Sequence, residues 1–180
     1  MGEPSGIKSA NNANKKSTRS APSDIDSLMP VIELLFFAYR DFVSEPDEIL
    51  HAFGFGRAHH RVLHFVNRQP GLRVADLLDI LKITKQSLAR VLKQLVEEGF
   101  IEQHAGNRDR RERHLFVTDK GAKLAQDLSK PQLKRIAEAL EKIDEEHREA
   151  IKYFLYSMIT NDDKIDVSKL LGTPLVYTRS

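Results

Sequence analysis

Apolar residues recur at helical spacing along most of this chain, and one segment breaks into alternation. Residues 1–24 carry neither pattern. They are rich in Ser, Asn, Ala and Lys with no aromatic residue, and read as a disordered, slightly basic tail. A first helix is predicted from Asp26 or Ser27, either of which can cap it, to about Val43, with Pro30 in its first turn. Val31, Ile32, Leu34, Leu35, Phe36, Phe37, Tyr39, Phe42 and Val43 cover most of its circumference. A helix apolar nearly all round is buried on more than one side, so a partner subunit is expected to cover what the body does not. A loop is expected around Pro46 and "FGFG". A second helix follows, with Val62, Leu63, Phe65 and Val66 facing inward and Pro70-Gly71 ending it.

Two short helices come next. Val74, Leu77, Leu78 and Leu81 form one apolar stripe, and Leu88, Val91, Leu92 and Leu95 a second. The break at Lys82-Ile83, the N-cap Thr84 and the C′ residue Gly99 make the pair a helix-turn-helix, although Lys82 stands where a glycine is common. After it, "FIEQHA" and "RHLFVT" read as two strands around "GNRDRRE", a β-hairpin in the position of a wing. A long helix begins at Asp119-Lys120-Gly121. It carries Leu124, Leu128, Leu133, Ile136, Ala137, Leu140 and Ile143, with a bend expected at Pro131. The last helix is expected to turn Ile151, Phe154, Leu155, Met158 and Ile159 inward. The fold class is therefore mainly α, an α+β winged helix: a helix-turn-helix with a β-hairpin wing, flanked by N- and C-terminal helices. Residues 25–160 form that domain. Residues 161–180 are too apolar to float and are expected to dock on the body or on a partner.

Composition narrows the function. The formal charge is only +2, so a nucleic-acid signal must come from the distribution of charge. There is no cysteine, which removes thiolate metal sites, iron–sulfur clusters and a cysteine nucleophile. The N-terminus has no apolar signal-peptide core, and the longest apolar stretch, Val31 to Tyr39, is broken by Glu33. A soluble, cytoplasmic protein without membrane contact is expected.

"DLLDILKITKQSLARVLKQLVEEGFIEQ" followed by "DRRERHLFVTDKG" resembles the MarR family of bacterial transcriptional regulators over roughly residues 28–160. The most specific piece is Asp109-x-Arg111 with Val117-Thr118 and then Gly121; the family more often has Leu before that Thr. The spelling "RAHHRVLHFVN…PGLRVADLLDILKITKQSLARVL" is similar to a subgroup common in α-proteobacteria. The resemblance implies a homodimer joined by its N- and C-terminal helices. It also implies a pseudo-palindromic operator on double-stranded DNA, a repressor's action, and relief by a small molecule or a metal.

Lys85, Gln86, Ser87, Ala89, Arg90, Lys93 and Gln94 lie off the apolar stripe of the second helix of the pair. Gln can read adenine and Arg guanine in the major groove, so Gln86, Ser87 and Arg90 are the candidates for base edges. Lys85 and Lys93 are candidates for phosphates, with Thr84 at the helix start. The wing holds Arg108, Arg110, Arg111 and Arg113 around Asp109. A minor groove attracts inserted Arg, and Asp109 is expected to hold the Arg111 guanidinium in place by a bidentate bond. An isolated loop of this kind would be a solvated surface; behind a recognition helix it is a DNA contact. The resemblance puts an effector pocket between the dimer helices and the winged-helix lobe. Phe36, Tyr39, Arg40, Phe55, His59 and Leu63 are candidates to line it, although such a stripe is also what a core looks like.

Two other classes compete. His59, His60 and His64 suggest a metal-dependent protein, with Glu45, Asp47, His51 and His104 as further ligands. Against it, the chain has no HExxH, phosphate loop or nucleophile elbow, so no enzyme and no resident cofactor are expected. A winged helix used for protein contacts would show an apolar or acidic recognition face; here Lys85, Arg90 and Lys93 make it basic.

Overall fold

The structure is a computed structural model that describes residues 25–106, 109–160, 167–168 and 170–172. The expected tail at 1–24, Asn107, Arg108 and most of 161–180 lie outside the described residues. Residues up to Ala38 and those from Tyr39 onward form two compact units. In the first, the described residues are all helical and belong to α1 (Ile25–His51). Val31, Ile32, Leu34 and Phe36 are exposed there.

The second unit begins within α1. The helix runs on through Pro46 to His51 rather than stopping near Val43. A proline inside a helix leaves the carbonyl four residues earlier without its N–H donor. Here that carbonyl, Phe42 O, accepts instead from Gln132 Nε2 at 3.3 Å. Then come α2 (Arg57–Arg68), β1 (Leu72–Arg73), α3 (Val74–Leu81), α4 (Lys85–Glu97), β2 (Ile101–Ala105), β3 (Arg113–Val117), α5 (Asp119–Leu140) and α6 (Glu145–Ser157). The three strands form one antiparallel sheet in the order β1-β3-β2. Leu72 faces Leu115, and Ile101 faces Val117. The two-residue strand β1 was not expected: it is too short to carry an alternation.

The core is built from the apolar stripes read above. Val62, Leu63, Val66, Leu77, Leu88, Leu95, Phe100, Ile101, Leu115, Leu124 and Leu128 are buried in one cluster. Burial stops partway along α5. Leu133 and Ile136 are exposed. No residue of α6 is buried, and Phe154, Leu155 and Met158 are exposed rather than turned inward. Their periodicity is helical, but among the described residues the body leaves them about half exposed.

Short-range chemistry fixes the joints. Lys82 takes up the left-handed conformation (φ 49°) that a turn glycine would supply. Thr84 caps α4: its Oγ1 accepts from Ser87 N at 3.1 Å. Gly99, φ 72°, follows the C-cap Glu98. Thr118 closes the seam after the wing by accepting from Gly121 N at 3.1 Å and donating to Gly99 O at 2.7 Å. Among the described residues no helix is long and apolar enough to cross a membrane.

Candidate nucleic-acid interface

Helix α4 buries Leu88, Val91, Leu92 and Leu95 and leaves Lys85, Gln86, Ser87, Ala89, Arg90 and Lys93 exposed. The N-terminal half of the exposed row has the fewest internal ties. Gln86 and Arg90 have no side-chain partner among the described residues. Ser87 is already oriented: Thr84 Oγ1 donates to its Oγ at 2.9 Å, which leaves the serine hydrogen to donate outward. Lys93 leans toward Glu97 at 3.7 Å, a weak exposed pair.

Gln94 behaves differently from its neighbours. Gly56 N–H donates to His59 Nδ1 at 3.1 Å, so the neutral ring carries its proton on Nε2 and donates to Gln94 Oε1 at 3.0 Å. Gln94 Nε2 in turn donates to Glu98 Oε1 at 3.0 Å. The side chain is thus held along the body, not offered to a groove.

The wing tip is ordered by Asp109, though not by the bidentate pair expected from the sequence. Asp109 Oδ1 accepts from the backbone N–H of Arg111 at 2.8 Å, an Asx-type turn, and does not pair with the Arg111 guanidinium. Arg113 Nη1 donates to Arg110 O at 2.9 Å and braces the same turn. Arg110 and Arg111 are exposed at the turn, and Arg108 lies outside the described residues.

A cleft of about 610 Å³ separates α3 and α4 from the wing. Its floor is Val74, Ala75, Leu78, Leu88, Ala89 and Leu92, and its walls carry Lys85, Lys93, Arg111 and Arg113. Arg73, Gln103 and Glu112, which were not candidates from the sequence, also line it. Arg73, at the N-cap of α3, holds Asp76 side-on at 2.8 and 2.6 Å and reaches Glu112 Oε1 at 3.2 Å. The guanidinium hydrogen bond holds the Asp76 carboxyl below the usual carboxylate range. The available signal was a cation at a position where Ser, Thr or Asp is the usual cap.

Three of the candidate pocket residues lie in or against the core. Phe55 and Leu63 are core residues, and His59 stacks on Phe55 at 4.6 Å. Arg40 pairs with its neighbour Asp41, and Phe36 is exposed in the other unit. Tyr39 lines a cavity of about 420 Å³ with Phe42, Val43, Asp47, Arg57, His60, Arg61, His64, Phe65 and Gln132. Burial depresses the pKa of both His60 and His64. Of the further candidate ligands, Asp47 pairs with Arg57 and also lines the cavity of His60 and His64, Glu45 pairs with Arg135, and His104 with Glu102. Among the described residues the groups near enough to share an ion are the exposed Asp144, Glu146 and His147.

Residues 53–112, spanning α2 to the wing turn, match the sequence model of the MarR family. The chain is 51% identical over 114 residues to the HTH-type transcriptional regulator PetP of Rhodobacter capsulatus, covering 63% of this chain and 69% of that protein. The chain belongs to the MarR family. It is a helix-turn-helix transcriptional regulator and not an enzyme. Solved MarR-type structures share the fold. A MarR transcriptional regulator from Methanosarcina mazei is 28% identical, with a TM-score of 0.60 over 75% of this chain and 90% of its own. The MepR–DNA complex of S. aureus is 20% identical, with a TM-score of 0.58 over 71% of this chain and 94% of its own.

Proposed function

We propose that this MarR-family chain is a sequence-specific regulator that binds a near-palindromic operator on double-stranded DNA as a homodimer. The observation that carries the reading is the cleft. Lys85 and Lys93 of α4 line one wall, and Arg111 and Arg113 of the wing line the other; Gln86, Ser87 and Arg90 are exposed on the same helix. A recognition helix in the major groove and an arginine in the adjoining minor groove match that pair of walls. Gln86, Ser87 and Arg90 read base edges, Lys85 and Lys93 hold phosphates, and Arg111 enters the minor groove. A solved relative with this fold is a complex with DNA, which supports the same partner here. Such a regulator works in the cytoplasm, where the chromosome is, and represses by occupying the promoter.

Exposed apolar residues support the homodimer. The first unit exposes Leu28, Met29, Val31, Ile32, Leu34 and Phe36, and the second exposes Leu133, Ile136, Phe154, Leu155 and Met158. On each unit, exposed apolar side chains are what a partner subunit would cover. The cavity around Tyr39, His60 and His64 supports a response to a small-molecule effector.

Selection from a random-duplex pool at two salt concentrations tests the reading. Enrichment of a near-palindrome of roughly 16–20 bp, with a steep salt slope, is expected from two half-sites about one helical turn apart. No retention even at low salt would refute it.

A further inference from the structure

Arg73 occupies a position that makes little sense for α3 itself. It is the N-cap, yet it makes no side-chain cap bond, and it adds a cation to the positive end of the helix. Its guanidinium is committed elsewhere. Nε and Nη2 hold both oxygens of Asp76, and Nη1 reaches Glu112 Oε1 at 3.2 Å. Glu112 Oε2 lies 3.6 Å from His114 Nε2, and His114 Nδ1 donates to the Gly71 carbonyl at 2.9 Å. A continuous polar chain therefore runs from the first turn of α3 to the entry of β3, one residue from Arg111.

Glu112 raises the same question from the other side. It is an acid between Arg111 and Arg113, on the wall of a cleft read above as DNA-facing. A bare carboxylate there would repel phosphates. It gains a purpose if it ties the wing to the helix-turn-helix through Arg73. We propose that Arg73 is a positioning residue: by bridging Asp76 on α3 and Glu112 at the wing base, it sets the wing's angle to α4, so that Arg111 meets the minor groove while α4 occupies the major groove. This rests on the DNA-binding reading given above.

The sign of one substitution separates the proposal from simple electrostatics. Glu112→Gln removes a negative charge beside the DNA. If the charge alone matters, affinity for the selected duplex rises, and rises equally in an Arg111→Ala background. If Glu112 positions the wing, affinity falls by about three- to fivefold, the scale of an exposed ion-pair network, and the loss vanishes in the Arg111→Ala background. Arg73→Lys keeps the charge but lacks the fork that holds two carboxylates at once, and should lose affinity similarly.

A second measurement needs no DNA, so failure of the DNA-binding reading and failure of this one are distinguishable. The chain has no native cysteine, so Arg110→Cys and Asp79→Cys accept a nitroxide pair across the wing and α3. Pulsed dipolar spectroscopy should give a narrow distance distribution that broadens on adding Arg73→Met or Glu112→Gln. An unchanged distribution, or tighter DNA binding by Glu112→Gln, overturns the proposal.

Discussion

Gly121→Ala should destabilise the protein, although alanine is the better helix former. Gly121 is the third residue of α5, where a Gly-to-Ala change in an open helix gains roughly 0.5–1 kcal/mol. Here a new Cβ would fall inside the contact distance of the Phe100 carbonyl oxygen, 3.0 Å from its carbon and 3.3 Å from Val117 Cβ. The carbonyl has little room to retreat. It accepts from Thr118 N at 3.1 Å, and Phe100 is itself held by its N–H on Leu95 O at 2.8 Å. Overpacking of this kind costs about 1–3 kcal/mol, and more when backbone is the obstacle. Less a helix gain of roughly 0.5 kcal/mol, the net loss is roughly 0.5–2.5 kcal/mol. That corresponds to about 1–10 °C in Tm for a chain of this size. Urea unfolding followed by circular dichroism, at one fixed protein concentration, reads it directly. An equal or higher midpoint would refute the close approach of α5 to the exit of α4.

Asp109→Ala should weaken binding to the selected duplex by about 0.5–1.5 kcal/mol, because the Arg111 N–H loses its acceptor. Asp109→Asn keeps that acceptor and should bind like the parent in a fluorescence anisotropy titration; a loss equal to that of alanine would revive the side-chain ion pair. Arg111→Ala should cost ~1–3 kcal/mol if it makes a specific groove contact, and unchanged affinity would remove the wing from recognition. His60 and His64 hold their protons less tightly when folded than when unfolded, because burial disfavours the charged rings. The unfolded chain then takes up more protons, so this stability is complete above about pH 6.5, the ordinary histidine value, and is lost as pH falls through the lower folded values. His64→Gln should flatten the Tm profile between neutral pH and pH 5; an unchanged profile would contradict the assignment. Leu155→Glu, on the exposed face of α6, should shift the protein toward monomer in sedimentation without unfolding the winged helix, and an unchanged mass would remove that face from the dimer.

Much of this architecture was legible because its signals are local. The stripes of α3 and α4, the Thr84 cap and Gly99 depend on neighbours within one or two turns, and the structure realises each of them. The wing was legible from alternation on either side of a polar turn. Gly121, noticed only as part of a motif, has its cause in the Phe100 carbonyl pressed against it. What escaped the sequence was long-range. The acceptor that Pro46 leaves unpaired finds its donor in Gln132, far along the chain. The Arg73–Glu112 link joins residues 39 apart. The inward face expected for α6 shows the limit of periodicity, which marks an apolar stripe but not which molecule covers it. The aromatic stripe near His59 resolved into core and stacking, and the cavity formed beside it from residues of α1, α2 and α5 that share no sequence motif.

The central claim is that two protomers each place α4 in a major groove and a wing arginine in the neighbouring minor groove. Methylation interference on the selected duplex tests it most directly, because the reagent marks guanine N7 in the major groove and adenine N3 in the minor groove. Two clusters of N7 interference about 10 bp apart are expected, each bordered on its outer side by N3 interference that disappears with Arg111→Ala. A single cluster, or N3 interference unaffected by that substitution, would contradict the account.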